Sequence, residues 1–265
     1  MAEGAVRTGP GWLSARGPAT TTVLLRHGET ALSGERRFAG RGDIALTATG
    51  LEQAAAAAAR LAARGGLDLI VTSPLGRARQ TAGAVAAATG VPVVVGDGWM
   101  ETDFGEWEGL SQAEAERAWP GQMAAWLNDT GAAPPGGESF AATSDRVLKA
   151  LDSLLAERAG ATVLVVSHVT PMKILLLQAL LAPPAALRRM QLDVACLCEI
   201  DWYAGGLGIV RTMNDTAHLS RRNGWLGPML EGAAGEPGRA AAPGSNPVRK
   251  VRAPQGRVVG NADPG

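Results

Sequence analysis

The sequence predicts an α/β protein: a three-layer α/β/α sandwich with a mostly parallel central sheet. Between residues 20 and 220, short apolar runs alternate with helical stretches, and such βα repeats pair their strands in parallel and cover both faces with helices. The last two apolar runs, 196–202 and 208–211, follow one another without a long helix between them. They are therefore predicted to form an antiparallel pair at one edge of the sheet.

The first elements are identified from apolar runs and from the residues that stop the helices. The run 21–25 is short, apolar and β-branched, which is typical of a buried strand. An alanine-rich helix is predicted over 51–64, because two glycines follow it. A second strand is predicted over 67–71, and a helix over 77–89 ends before Gly90.

The later elements complete the alternation. The run 91–95 contains Pro92, which favours an edge strand. A long amphipathic helix over 139–158 leads to the most hydrophobic run, 162–166, which is predicted to be a central strand. A helix over 172–181 ends before two prolines. In a sheet of this type, the active site is expected at the carboxyl ends of the strands.

Composition excludes several classes of protein. The 25 basic and 25 acidic side chains sum to a net charge of +0, which argues against a nucleic-acid partner held by bulk charge. Two cysteines exclude a disulfide scaffold. No apolar run reaches the roughly 18–20 residues that cross a bilayer, and residues 1–19 lack the apolar segment of an export signal. We expect a cytoplasmic protein without a membrane partner.

The domain boundaries are predicted from the loss of periodicity at both ends. Residues 1–19 and 221–265 are rich in Gly and Pro and show neither helical nor strand period. We expect both segments to be disordered, with one folded domain over 20–220. The second segment is basic toward its end, which fits a solvated tail better than an attachment site for an anionic partner.

Two of the three histidines follow predicted strands. His27 comes after the first strand and His168 after the most hydrophobic one. Another strand is followed by Arg77 at a helix start, and Arg26 precedes the first histidine. Histidines and arginines that meet at one crevice suit a dianionic phosphate, because the guanidinium fork matches phosphate oxygens.

Five motifs occur in a fixed order along the chain. They are Arg26-His27-Gly28-Glu29-Thr30, the stretches 73–82 and 101–109, Pro135-Gly136-Gly137-Glu138-Ser139, and Val166-Ser167-His168. Together they resemble the histidine phosphatases, the phosphoglycerate mutase-like superfamily, over about 21–219. The nearest resemblance is to the α-ribazole phosphatase-like branch and to the acid-phosphatase domain that actinobacterial proteins carry fused to a ribonuclease H domain. Residues 1–20 leave no room for the latter domain, so we expect no ribonuclease activity.

The resemblance implies a mechanism and its catalytic residues. His27 is expected to be the nucleophile, which forms a phosphohistidine intermediate. Arg26, Arg77 and His168 are expected to hold the phosphoryl oxygens and to neutralise charge in the transition state. Glu101 is expected to protonate the departing oxygen and later to activate water. No metal and no cofactor are implied, because the arginines supply the positive charge.

Substrate contacts are also implied by the resemblance. The residues expected to bind substrate are Arg26, Thr30, Ser33, Arg37, Arg77, Glu101 and Val169. Many family members have Asn in place of Ser33 and Gln in place of Ala39, so the leaving-group side of this site is expected to differ from theirs.

Several polar residues keep two interpretations. Asp103, Glu106 and Glu108 stand close to Glu101 in the sequence, so each is an alternative proton donor. Glu138 and Ser139 are expected either to touch the phosphate or to cap the following helix.

The favoured function is hydrolysis of a small phosphorylated metabolite by a metal-independent phosphomonoesterase. A phosphoglycerate mutase-type transfer is the alternative within the fold. Mutases carry an insertion before the second histidine, whereas 101–168 is short here and holds one helix-like stretch, 111–126. A non-catalytic phosphate-binding scaffold is a third alternative, and the intact set of catalytic residues argues against it. A homodimer is left open.

Overall fold

A computed structural model describes residues 17–219 of the chain. Its strands are β1 (Thr20–Arg26), β2 (Leu69–Thr72), β3 (Val93–Val95), β4 (Thr162–Ser167), β5 (Leu197–Tyr203) and β6 (Leu207–Asp215). They form one six-stranded sheet in the order β3-β2-β4-β1-β5-β6. The first four strands pair in parallel, whereas β5 pairs antiparallel with both β1 and β6. The predicted central strand, edge strand and antiparallel pair are all confirmed.

Helices cover both faces of this sheet, which confirms the three-layer prediction. They are α1 (Ala31–Gly34), α2 (Ala48–Arg64), α3 (Gly76–Thr89), α4 (Gln112–Ala118), α5 (Gln122–Asn128), α6 (Phe140–Glu157) and α7 (Val169–Leu180). Alternate side chains of a strand point to opposite faces. Leu24 and Val165 pack with α6 and α7, whereas Leu25 and Val166 pack with α2 and α3.

Two helices begin earlier than predicted, for local reasons. α2 begins at Ala48 because the Thr47 side chain accepts a hydrogen bond from the N–H of Gly50. α7 begins at Val169 although Pro171 follows, because a proline in the first turn has no helical hydrogen bond to lose.

The prediction of one helix-like stretch over 111–126 is wrong. Two short helices, α4 and α5, occupy this part of the chain. Pro120 and Gly121 separate them, and Gly121 has φ 80°, which a helix interior does not accept. The two helices pack over a small third core of Phe104, Trp107, Trp126 and Phe140.

Part of the predicted organisation falls outside the structure. The segments predicted to be disordered lie, except for residues 17–19, outside the described residues. Within 17–219, no helix has both the length and the apolar character that crossing a bilayer requires.

Candidate active site

The carboxyl ends of three parallel strands meet at one edge of the sheet. β1 ends at Arg26 and leads into His27, and β4 ends at Ser167 and leads into His168. Arg26 and Ser167 are register partners, and the two imidazole rings lie with centroids 5.1 Å apart. β2 leads into the turn before Arg77 on α3. The structure thus brings together the residues that the sequence placed at strand ends.

The hydrogen bonds of His27 assign its tautomer. Nδ1 lies 2.7 Å from the carbonyl oxygen of Gly28, and Arg77 donates from Nε to Nε2 at 3.3 Å. Because a carbonyl only accepts, Nδ1 carries the proton, and Nε2 carries the lone pair. The imidazole is therefore held neutral, with its nucleophilic nitrogen beside a guanidinium.

Both buried histidines resist protonation. Burial lowers the pKa of His27 well below its ordinary value of 6.5, and the charges of Arg26 and Arg77 lower it further. Burial likewise lowers the pKa of His168, and Arg77 and His27 add to the effect. A neutral imidazole is the form that can act as a nucleophile, so the lowered pKa of His27 is compatible with its predicted role.

Arg77 is held by a cage of backbone carbonyls. Its side chain is 0% exposed. It donates from Nη1 to Gly42 at 3.0 Å, and from Nη2 to Gly40 at 2.6 Å and Ala39 at 3.3 Å. The loop after α1 therefore fixes the guanidinium plane, and Ala39 acts through its carbonyl, not its side chain.

Two buried nitrogens beside His27 have no partner within residues 17–219. They are Nε of Arg26 and Nδ1 of His168. Nε2 of His168 lies 2.8 Å from Oγ of Ser73, and in the tautomer that accepts from this hydroxyl the ring proton is on Nδ1. Buried polar atoms without partners are costly; Nε of Arg26 is a donor, and Nδ1 of His168 is a donor in this tautomer. They are suited to an anion.

Glu101 has a buried carboxyl group that contacts the helix after His168. Its side chain is 5% exposed. Oε1 accepts from the N–H of Thr102 at 2.8 Å, and Oε2 accepts from the N–H of Thr170 at 3.4 Å. Thr170 lies in the first turn of α7, two residues after His168. This places the predicted acid at the edge of the histidine pair.

The alternative acids occupy different positions. Glu106 is exposed, and Asp103 accepts from the N–H of Gly105 within its own loop. Of the three alternative acids, Glu108 is the one whose charge acts on Arg77, as that of Glu101 also does. Its Oε2 accepts from Gly40 at 2.7 Å, so it holds the loop that cages Arg77.

The remaining predicted substrate residues are largely occupied by local contacts. Thr30 and Ser33 form a capping box at α1, in which each side chain accepts from the other's N–H. Arg37 donates to Glu35 after α1, to Glu114 in α4 and to the carbonyl of Gly109, so its guanidinium is occupied by contacts within the chain. Val169 is the first residue of α7, directly after His168. Of these four residues, Val169 lies nearest in the chain to the histidine pair.

The two residues with open interpretations now have structural roles. Ser139 caps α6 by accepting from the N–H of Ala142. Glu138 forms an ion pair with Arg146 at 2.8 Å. Arg146 also donates to the carbonyls of residues 98, 100 and 101, so the pair fastens the loop that carries Glu101. Sequence reasoning missed Arg146, which lies mid-helix without a motif of its own.

Lys173 is a second residue that the sequence analysis missed. It is half-buried on α7, one turn after Val169 and on the same helix face. Burial lowers its pKa, and the positive charges of Arg26 and Arg188 lower it further, while Glu101 opposes them. Residues 17–219 provide no ion pair for it. A cation beside the site without a carboxylate partner suits an anionic part of a ligand.

A close backbone approach fixes the loop after His27. A Cβ on Gly28 would lie 2.3 Å from the carbonyl oxygen of Gly50, and a Cβ on Gly50 would lie 2.1 Å from that of Glu29. Both positions therefore exclude side chains, because the opposing atoms are backbone. The start of α2 packs closely against the loop that follows His27.

Metal-ligand geometry is not found in this part of the protein. No group of three or more His, Cys, Asp or Glu side chains among residues 17–219 is arranged to hold a metal ion.

Comparisons with known proteins agree with this geometry. The model of the histidine phosphatase superfamily (branch 1) matches residues 22–216. The chain is 50% identical over 212 residues to "Bifunctional protein Rv2228c" of Mycobacterium tuberculosis, covering 80% of this chain and 58% of that protein. It therefore spans less than two thirds of that relative's length. It is 38% identical over 205 residues to "Probable phosphoglycerate mutase GpmB" of Yersinia enterocolitica, covering 74% and 93%.

Solved structures share the fold over most of their length. A mycobacterial glucosyl-3-phosphoglycerate phosphatase superposes with a TM-score of 0.69 at 29% identity, covering 75% of this chain and 100% of that one. An alpha-ribazole phosphatase from Shigella flexneri superposes with a TM-score of 0.68 at 29% identity, covering 74% and 96%. The family motifs converge at one edge of the sheet, and the chain belongs to the histidine phosphatase superfamily.

Proposed function

We propose that the protein is a metal-independent phosphomonoesterase that hydrolyses a small phosphorylated metabolite through a phosphohistidine on His27. One observation carries the proposal: the lone pair on Nε2 of His27 lies beside three buried donor groups. Arg77 donates to that nitrogen, and Arg26 and His168 each have a buried nitrogen without a partner in the described chain. A phosphoryl group supplies oxygens for all three donors.

The first half-reaction is a displacement at phosphorus. Nε2 of His27 attacks, the bond from phosphorus to the ester oxygen breaks, and Glu101 gives its proton to the departing oxygen. Arg26 and Arg77 neutralise the charge that develops on the phosphoryl oxygens. They supply the positive charge that a divalent metal supplies in other phosphatases, so the proposal needs none.

The second half-reaction releases phosphate. Glu101, now a carboxylate, takes a proton from water as the water oxygen attacks phosphorus, and the bond to Nε2 breaks. His27 returns to its neutral form and Glu101 to its protonated form. Phosphoryl transfer to a second metabolite is the alternative outcome. The Yersinia relative is named as a probable phosphoglycerate mutase, which is the type of enzyme that catalyses such a transfer. The shortness of α4 and α5 favours water as the acceptor.

The leaving group is proposed to carry an acidic group. Lys173 supports this, because it is a half-buried cation on the helix that follows His168. The name of a structural relative, a glucosyl-3-phosphoglycerate phosphatase, fits the same class of substrate. A cytoplasmic location and a homodimer stay predictions, and so does any activity of the longer mycobacterial relative.

The test is turnover together with trapping of the intermediate. We expect the full chain to hydrolyse p-nitrophenyl phosphate in the presence of EDTA. Vanadate, which is bound in a solved structure of the glucosyl-3-phosphoglycerate phosphatase, should inhibit. A quench in alkaline detergent should trap a phosphoenzyme that is stable in alkali and labile in acid, lost in His27→Ala and kept in Arg79→Lys, a change at an exposed position. Full activity in His27→Ala, or recovery from EDTA only on adding a divalent ion, would overturn the proposal.

A further inference from the structure

The orientation of Arg26 depends on one loop, residues 190–196, which we term the anchor loop. Nη1 of Arg26 donates to the carbonyl of Leu192 at 2.7 Å, and the N–H of Arg26 donates to the carbonyl of Cys196 at 3.1 Å. The N–H of Ala195 donates to the carbonyl of His27 at 3.1 Å. One short segment thus holds both the guanidinium and the backbone of the nucleophile.

The single contact at Nη1 has a geometric consequence. A guanidinium is planar, so fixing one nitrogen at a carbonyl fixes the direction of the opposite edge. That edge includes Nε, which is buried and has no partner in the described chain. It is the edge that can meet two phosphoryl oxygens at once. The position of the Leu192 carbonyl therefore determines the direction in which the Nε edge of the Arg26 guanidinium points.

Asn214, which has no part in the proposed mechanism, forms hydrogen bonds with the anchor loop. Asp193, next to Leu192, donates from its N–H to Oδ1 of Asn214 at 2.7 Å. Asn214 returns a hydrogen bond from Nδ2 to Oδ2 of Asp193 at 2.9 Å. Gln191 donates to Oδ1 of the same carboxylate at 3.0 Å.

The backbone of Asn214 shows why an asparagine stands there. Its φ of 52° lies in the left-handed region, which asparagine tolerates better than most residues. The pairing between β5 and β6 shifts register close to this point. The irregular backbone turns the amide toward the anchor loop.

A second contact joins the same two segments. Arg60 donates to Nδ1 of His218, which leaves the proton of the neutral ring on Nε2. Nε2 donates to the carbonyl of Ala195 at 3.0 Å. The anchor loop is thus hydrogen-bonded at Asp193 to the end of β6 and at Ala195 to the residues that follow β6.

We propose that Asn214 is a positioning residue for phosphoryl binding: through Asp193 it holds the Leu192 carbonyl that aims Arg26. The inference rests on the proposed function, because it assigns Arg26 to the phosphoryl group. It predicts that loss of the amide weakens binding of a phosphoryl mimic by way of Arg26, and not through a general loosening of β6.

The first experiment uses the full chain and vanadate as the probe. Asn214→Gly keeps the left-handed backbone accessible and removes both side-chain contacts. We expect its inhibition constant for vanadate to rise about 10–100-fold, since small misplacements of a binding group cost this much. Met213→Ala, an exposed neighbour on the same strand, should change the constant by less than about twofold. An unchanged constant in Asn214→Gly would overturn the inference.

A double-mutant cycle separates positioning from general damage. In an Arg26→Ala background, Asn214→Gly should change vanadate binding by less than about twofold, because the group it positions is gone. An equal loss in both backgrounds would refute the route through Arg26. If the wild-type chain neither hydrolyses p-nitrophenyl phosphate nor binds vanadate, the proposed function fails first, and the two failures are distinguishable.

A swap of the two side chains keeps the test valid if the glycine variant folds poorly. Asn214→Asp alone sets two carboxylates against each other and should weaken vanadate binding. Combined with Asp193→Asn, it restores one amide and one carboxylate in exchanged positions. We expect the double variant to recover vanadate binding to within about threefold of wild type, as coupled neighbours do. No recovery in a folded double variant would contradict the proposal.

Discussion

Nε of Arg77 donates a hydrogen bond of 3.3 Å to Nε2 of His27. In the proposed mechanism the same nitrogen of His27 attacks phosphorus, so the guanidinium lies on the side from which a phosphoryl group would arrive. In the absence of substrate, the arginine thereby keeps the lone pair unprotonated and aligned. A bound phosphoryl oxygen would replace Nε2 as the acceptor, because it carries the greater negative charge.

Arg77→Lys keeps the positive charge, but we expect it to reduce activity severely. A lysine has neither the fork nor the reach to keep both His27 and the carbonyls of Gly40 and Gly42. We expect kcat/KM for p-nitrophenyl phosphate to fall about 10²–10³-fold, as when one transition-state donor is removed. Arg79→Lys, an exposed position on the same helix, is the matched control and should stay near wild type. Similar losses in both variants would mean that they reflect general damage to α3 and not the contacts of the Arg77 guanidinium.

Glu101→Gln should slow reactions according to their leaving group. Alkoxides must be protonated as they depart, whereas p-nitrophenolate leaves almost unaided. We expect kcat/KM to drop about 10²–10⁴-fold for an alkyl phosphate and much less for p-nitrophenyl phosphate.

Glu108→Gln is the control for that prediction. Its carboxylate holds the N–H of Gly40, so its loss should reduce both activities by a similar factor. If Glu108→Gln showed the larger contrast between substrates, the proton donor would be Glu108 and the assignment of Glu101 would be wrong.

Stability should fall as pH decreases below the ordinary pKa of histidine. His27 and His168 have lowered pKa values in the folded chain, so below pH 6.5 the unfolded chain binds more protons than the folded one. Each of these histidines should then cost about 1.4 kcal/mol of unfolding free energy per pH unit until its folded pKa is reached.

Urea unfolding without phosphate at pH 6.5 and pH 5.5 measures this slope. His27→Asn and His168→Asn should each reduce the stability difference between these two pH values by about 1 kcal/mol, whatever their effect on stability at neutral pH. A slope that both variants leave unchanged would show that the histidines titrate normally in the folded chain.

Lys173→Gln should discriminate between acidic and neutral substrates. A carboxylate on the leaving group would gain a charge-assisted hydrogen bond from Lys173, so we expect KM for a phosphorylated hydroxy acid to rise about tenfold or more. KM for glycerol phosphate should hardly change. Lys149→Gln, at an exposed position on α6, serves as the control. Equal changes in KM for both substrates would show that Lys173 does not contact the leaving group.

The parts of the site that come directly after strands were predictable from the sequence. His27, His168 and Arg77 follow apolar runs, and parallel strands bring such positions together whatever the loops do. The break between α4 and α5 was also predictable, since Pro120 and Gly121 are residues that commonly end a helix. It was missed because the apolar and alanine residues on either side continue a helical pattern.

The supporting residues could not be predicted in the same way. Arg146 lies 45 residues from Glu101 in the chain, where it donates to the carbonyl of that residue. Asn214 meets Asp193 only because β6 folds back along β5 and shifts register there. Such contacts depend on the tertiary position of backbone carbonyls, which no local pattern encodes. The ion pairs of Arg37 with Glu35 and Glu114 were not expected either, and its contact with substrate stays a prediction.

The carbonyl of Gly28 has a consequence for the identity of the proposed covalent intermediate. Imidazole offers two nitrogens, and the two phosphorylated isomers differ in their ³¹P resonance and in their rate of hydrolysis. The Gly28 carbonyl, 2.7 Å from Nδ1, occupies that nitrogen and bars it from phosphorus. The regiochemistry of labelling is thus decided by a backbone atom that no substitution of a side chain removes, and the trapped species should be the Nε2 isomer alone.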